Sequence, residues 1–422
     1  MADLLQIEER DTACANRPNM AAFLGLGFRP LYIAGAGWAL ISIALWIFAP
    51  QFIGQPLSAV AWHAHEMLWG FIATIAVAFL LTASATWTGF NPLKGAPLGM
   101  VSLLWVIARL GFLFGGGAGF WVAGIAELAF FAISAACLMR VMIKGKSRRN
   151  YGIPWLVLGL GIADVLYLQA ALKGDYILLM QRFDLGMICM AVIALLIARR
   201  VIPFFSMRMV PGLELPMQAR SGQAQLAISV LAIALGIAGL AQYMAAALAV
   251  AGVISLWQVA SWKPLAVMHK PMLWILYLGY VALGAGLLFA AFHASGLGAG
   301  ALARSAVHVH IIGMGGFGLL IIGMLTRTAL GHLGRPLALD RSMLASYFLM
   351  MAAVALRLAA LWPSAASGWL LQAAASCWIL AMGLYLWRFV PMLIRPRYTP
   401  PPAAAAPAAG KAVNMALKGK AS

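Results

Sequence analysis

Charge is scarce in this sequence, and acid is scarcest: 9% of the 422 residues are charged, and only 11 are Asp or Glu against 29 Lys and Arg. With 64% hydrophobic residues and a mean hydropathy of +0.93, a soluble globular protein is excluded, because a water-facing domain carries about a quarter of its residues as charges. Cysteine is nearly missing. Cys14, Cys137, Cys189 and Cys377 stand alone, without the paired spacing of a disulfide framework or a zinc site, and read as small packing residues. The first twenty residues carry Asp3, Glu8, Glu9, Arg10, Asp11 and Arg17 and no apolar core, so no cleavable signal peptide is expected.

What the chain has instead is apolar runs long enough to cross a bilayer. Twelve are expected, near 31–49, 61–85, 98–114, 119–140, 153–172, 177–198, 225–241, 243–261, 272–292, 304–326, 343–361 and 367–389. The fold class is therefore an all-α polytopic membrane protein. A single transmembrane domain over 28–395 follows an N-terminal segment, 1–27, and precedes a Pro/Ala/Lys tail, 396–422, whose composition predicts disorder. The net charge of +18 does not indicate nucleic acid. Apart from Arg109, Lys173, Arg182, Arg304 and Arg357, every Lys and Arg falls in a terminus or an even-numbered loop. That is the asymmetry of a multi-pass protein with both termini in the cytoplasm, and its partner is the lipid bilayer.

Against this apolar background the histidines stand out. Trp62-His63-Ala64-His65-Glu66-Met67 heads the second run, and His308-Val309-His310 heads the tenth. Ionisable groups in lipid cost a few kcal/mol unless they face an interior with partners, so they mark functional sites. An offset of 245 superposes His63 on His308, His65 on His310, Gly70 on Gly315 and Gly89 on Gly334, and Arg109 falls near Arg357. Runs 1–4 thus repeat as runs 9–12. A repeat displaced by eight runs fits three groups of four, and twelve helices so arranged resemble the haem-copper oxidase core, whose second and tenth helices carry haem-binding histidines.

In an α-helix residues i and i+2 point about 200° apart, so each His pair serves two sites on opposite sides of its helix. His293 ends the ninth run at the same, outer level. Neutral imidazoles suit iron and copper, and haem is held between facing helices by such ligands. One face of run 2 reads His63, Glu66, Gly70, Ala73, Val77, and the matching face of run 10 reads His308, Ile311, Gly315, Gly318, Ile322. Small residues below a histidine leave room for a flat macrocycle. This favours His63 and His308 as haem ligands and leaves His65, His310 and His293 for copper or a second haem, with the opposite allocation open. Arg109, Arg357 and Arg304 lie at the level of haem propionates, although Arg109 and Arg357 can equally pair with Glu127 or another carboxylate. Glu66, Arg182 and Asp184 are candidate supporting groups at that end. Asp164 and Glu127 also interrupt apolar runs, and His269 and His332 belong to the opposite interface.

Several segments together are similar to the NnrS proteins: Phe28-Arg29-Pro30, the Trp62–Met67 stretch, Trp87-Thr88-Gly89, Arg199-Arg200-Val201-Ile202-Pro203-Phe204-Phe205, His269-Lys270-Pro271-Met272-Leu273-Trp274, and Thr326-Arg327 with Gly331-His332 and Gly334-Arg335-Pro336. Leu333 departs from the threonine expected there. The resemblance implies a bacterial inner-membrane protein with b-type haem and copper, which handles nitric oxide or iron-nitrosyl species in denitrification or nitrosative-stress defence, with an unidentified electron donor. A metal-dependent oxidoreductase activity on nitric oxide is one form this can take. The residues alone also accommodate a proton- or anion-coupled transporter built on the His/Arg cluster, and a haem electron-transfer subunit.

Overall fold

In lipid a backbone must satisfy its own polar groups, which for these runs means helices. The computed structural model describes residues 17–398 apart from 55, 56, 58 and 299; the segment before residue 17 and the tail after 398 lie outside the described residues. Among the described residues, twelve helices are long and apolar enough to cross a membrane: α1 Phe28–Phe48, α2 Val60–Thr88, α3 Ala96–Phe114, α4 Gly116–Lys144, α5 Gly152–Lys173, α6 Tyr176–Met209, α7 Ala219–Ile237, α8 Ala241–Ser261, α9 Pro271–Ala294, α10 Ser305–His332, α11 Arg341–Ala359 and α12 Ser367–Leu393. No strand occurs among the described residues.

The ends follow local chemistry. Asp175 caps α6 by accepting from Leu178 N at 2.9 Å, and Asp340 caps α11 by accepting from Met343 N at 2.9 Å, each satisfying a donor that a first turn leaves orphaned. Pro271 opens α9, where its missing N–H costs nothing. Gly89 (φ +76°) closes α2 and Gly174 (φ +67°) closes α5 in left-handed conformations that residues with a Cβ rarely adopt. The sixth run was expected to end near 198, yet α6 continues to Met209 through Arg199 and Arg200. Arginine is a good helix former, and only the apolar stretch, not the helix, stops there.

Chain neighbours pack against each other around the bundle, and α12 closes the circle on α1. Three helices occupy the middle: α2, α6 and α10 touch one another. Their most apolar stretches are 83%, 67% and 67% buried, against 22% for α7. Each is the second helix of a group of four, α1–α4, α5–α8 and α9–α12. Every central helix therefore borders two of the three bays between the groups.

Two central helices change winding at matching places. Glu66–Ala73 in α2 and Ile311–Gly318 in α10 are π-helical, and their first residues are separated by the same 245 positions that superpose the histidines. Wide turns of this kind are rare and concentrate at functional sites. They alter the carbonyl ladder, and side chains make up the difference: Thr74 Oγ1 donates to Trp69 O at 3.0 Å, and Trp105 Nε1 to Gly70 O at 3.1 Å. In α10 the stretch holds Gly313, Gly315, Gly316 and Gly318, residues with weak preference for regular α-winding.

Candidate cofactor and metal sites

His63 and His65 stand one turn or less before the α2 π-stretch, and His308 and His310 before that of α10. As the i, i+2 spacing requires, each pair splits between two bays. All three bays receive an imidazole at the same end of the bundle.

In the bay between α1, α2, α6, α10, α11 and α12 lies a cavity of about 290 Å³. His63 and His310 both line it, with Arg357, Trp46, Phe71 and Trp378 among the other walls. Small residues, including Ala64, Ala306, Gly313 and Ala375, keep it open. The His63 ring stacks on Trp46 at 5.1 Å and 6°, and its Nδ1 is buried without a hydrogen-bond partner. His310 Nδ1 donates to Ala306 O at 2.7 Å, which fixes the tautomer and leaves Nε2 with its lone pair free. No side-chain hydrogen bond or ion pair of Arg357 occurs among the described residues. Two imidazoles with free lone pairs, a cation and an apolar slot form a donor set that fits an iron porphyrin with anionic substituents.

The pairing crosses the repeat. His63 meets His310, not its own counterpart His308. The reason is that neighbouring central helices approach their shared bay with opposite faces. Of the two histidines favoured as haem ligands, His63 lines this cavity and His308 does not.

In the bay of α2, α3, α4 and α5, His65 is fully buried among acids. Its Nδ1 lies 2.9 Å from Glu66 Oε1, and its Nε2 lies 2.9 Å from Asp164 Oδ1 and 3.3 Å from Glu127 Oε2. Arg109 joins two of the carboxylates, Glu66 Oε2 at 2.6 Å and Glu127 Oε1. Trp38 Nε1 also donates to Glu66 Oε2, at 2.5 Å. Phe112, Tyr167 and Trp69 wall the imidazole. Glu66 was expected on the face of His63 and is found on the side of His65, because it stands at the border of the two faces and Arg109, Trp38 and His65 together meet its carboxylate there. Gly70 likewise does not leave room for a macrocycle. A Cβ there would run into Arg109 Nη1, and would stand 2.7 Å from Glu66 Oε2; the glycine makes room for the ion pair.

These two bays are counterparts under the repeat: His65 corresponds to His310 and Arg109 lies near Arg357. In one the histidine meets three acids; in the other the position of Glu66 is taken by Ile311, α12 contributes Ala374 and Ala375, and a cavity remains. The same scaffold position is thus a charged cage on one side and an apolar slot on the other.

In the third bay, His308 Nε2 is 3.4 Å from Asp184 Oδ1, its Nδ1 is buried without a partner, and its ring lies 4.8 Å from that of His293. Arg304 Nη1 donates to Leu361 O at 3.0 Å, tying the start of α10 to the end of α11. Arg182 is half-buried on α6, two residues before Asp184. His269 is exposed before α9, and His332 packs on Phe28 at 5.5 Å; both are at the opposite end of the bundle from the other five histidines. Glu127 and Asp164 were not among the expected site residues. Their signal was present in the sequence, as acids inside apolar runs, but nothing local linked them to His65.

The family model described as NnrS protein matches residues 22–397. A search of curated proteins returns no match.

Proposed function

The chain belongs to the NnrS family, a nitric-oxide-related membrane family, and on that premise we propose that it binds haem and handles nitric oxide or nitrosyl iron near the periplasmic face of the bacterial inner membrane. The cavity that His63 and His310 share carries the reading. These two residues would hold the haem iron through their imidazole nitrogens, and Arg357 would balance the charge of a propionate. The four cysteines are isolated, so attachment would be non-covalent, as for a b-type haem. When bound, haem would supply an iron centre that takes a diatomic ligand in place of one of the two imidazoles. The chain's own part is to orient the ring and exclude water. His310 is held through Ala306 O and His63 by its stack on Trp46, while Phe71, Trp378 and the methionines Met67, Met180, Met187 and Met314 keep the slot apolar. Nitric oxide is small and uncharged, so a membrane-embedded apolar slot suits it.

Copper is assigned to the His293–His308 pair, whose facing rings and unpartnered His308 Nδ1 support a soft, imidazole-rich site. Asp184 behind the other nitrogen supports the orientation of the ring, as carboxylates do behind metal-bound histidines. The positive-inside distribution supports cytoplasmic termini, and therefore an outer position for all three bays.

The test is the absorption spectrum and metal content of the full chain purified in detergent. His63→Ala and His310→Ala each abolish the Soret band, whereas His308→Ala keeps it and loses copper. A colourless protein from haem-replete cells, or haem lost in His308→Ala and kept in His310→Ala, overturns the assignment. If the haem forms no nitrosyl adduct, the electron-transfer reading replaces the nitric-oxide one.

A further inference from the structure

The acid cage around His65 has no part in the haem and copper reading, and its charges do not balance. Both nitrogens of His65 face carboxylate oxygens: Nδ1 faces Glu66, and Nε2 faces Asp164 at 2.9 Å and Glu127 at 3.3 Å. A neutral imidazole donates through one nitrogen only. With Nδ1–H given to Glu66, the Nε2 lone pair points at two anions, a repulsive contact unless a cation lies between. Among the described residues, moreover, Glu127 Oε2 and Asp164 Oδ2 have no hydrogen-bond donor, although both residues are 2% exposed or less. Such atoms are costly to leave bare in an interior.

We propose that His65 Nε2, Glu127 and Asp164 bind a divalent transition cation of the Fe²⁺, Mn²⁺ or Zn²⁺ class, with Glu66 and Arg109 as positioning residues. Three lines support this. The first is distance. Ligand atoms about 2.1 Å from a metal stand roughly 3.0–3.4 Å apart along octahedral or tetrahedral edges, and the His65–Asp164 and His65–Glu127 contacts, at 2.9 and 3.3 Å, fall at that spacing. One donor atom from each of the three residues lies within 4.8 Å of the others.

The second line is orientation. A metal-bound histidine donates its other N–H to a carboxylate, which fixes ring and tautomer, and Glu66 Oε1 is in place at 2.9 Å. Arg109 then holds Glu66 from its far side and Glu127 from its own, so the two acids cannot turn away from the site.

The third line is charge. Three carboxylates and one guanidinium leave a net charge of minus two when His65 is neutral, and a divalent cation cancels it. A proton on His65 cancels half. The donor set also chooses the metal: two hard carboxylates and one imidazole suit Fe²⁺, Mn²⁺ or Zn²⁺ better than cuprous copper, which prefers thiolate, thioether and imidazole. This site is therefore distinct in chemistry from the His293–His308 pair.

The experiment measures non-haem metal in the full-length protein, purified in detergent from cells grown with Fe²⁺, Mn²⁺ or Zn²⁺ supplementation, with haem iron subtracted by haem assay. About one non-haem cation per chain is expected, dropping to background in Asp164→Asn and in Glu127→Gln while haem content stays at the parental level. Glu66→Gln, which removes only the carboxylate behind His65, is expected to weaken binding about 10–100-fold. A parental protein without the cation in all three media overturns the proposal whatever the variants do. So does a cation retained by both Asp164→Asn and Glu127→Gln. Because haem is read separately, failure here and failure of the haem assignment are distinguishable.

Discussion

Arg109→Met tests the electrostatic argument most directly. The guanidinium is buried between Glu66 and Glu127, and the exposure of each of the three side chains is 2% or less. Methionine fills similar space and adds no charge. The variant leaves three acids facing one histidine, with no other Lys or Arg among the described residues in hydrogen-bond contact with them. Removing one partner of a buried charge pair costs about 3–5 kcal/mol, chiefly because the other charge stays behind. At about 1.4 kcal/mol per tenfold, the unfolding equilibrium shifts roughly a hundredfold to several-thousandfold. The upper part of that range applies here, since Arg109 serves two carboxylates. Reversible unfolding in mixed micelles measures it. The companion variant Arg109→Met/Glu127→Gln should recover part of the loss, because it removes one of the stranded anions. An Arg109→Met protein within about 0.5 kcal/mol of the parent, the usual range for substitutions away from such features, would refute the account of the cage as a charge-coupled unit.

Other outcomes follow from the same geometry. Gly70→Ala pushes a methyl group into the Arg109–Glu66 contact and should lower thermal stability clearly more than Gly315→Ala, whose added Cβ meets only Ala282 Cβ at 3.1 Å and Val354 at 3.6 Å; melting curves of the two decide. Arg357→Met should weaken haem retention on dilution in detergent without removing the Soret band, since both histidines that would hold the iron remain; an unchanged haem off-rate would separate Arg357 from the propionates. Asp340, outside the spans, has its carboxyl pushed up by burial but held lower overall by Ser342, Met343 N and Arg388. Its folded-state pKa is therefore depressed, and the stability it adds is present above the unfolded value and lost as pH falls through the folded one. Asp340→Ala should cost about 1 kcal/mol at neutral pH as a lost helix cap, and the difference from the parent should vanish in acid; a difference that persists in acid contradicts the charge-based part.

The sequence alone determined twelve helices, since apolar runs of bilayer length have no other stable form in lipid. The 245-residue repeat was likewise legible, because both His pairs obey one offset, and the π-stretches fall at that same offset in the structure. The division of each pair between two sides of a helix followed from helical geometry. Which histidines meet did not. His63 pairs with His310 across a shared cavity because α2 and α10 present opposite faces to the same bay, and a one-dimensional offset carries no information about which faces converge. Nor could the sequence assemble the cage. His65 is 62 residues from Glu127 and 99 from Asp164 along the chain; the sequence offered Glu127 as a partner of Arg109, which it is, but nothing in the order of residues joined either acid to His65. Tertiary packing of α2 against α3, α4 and α5 brings the three together, and the absence of any donor for two of their oxygens is a property of that packing alone. Periodicity and the cost of exposing backbone are local and written in the order of residues; the meeting of charges on separate helices is decided only when the helices close around them.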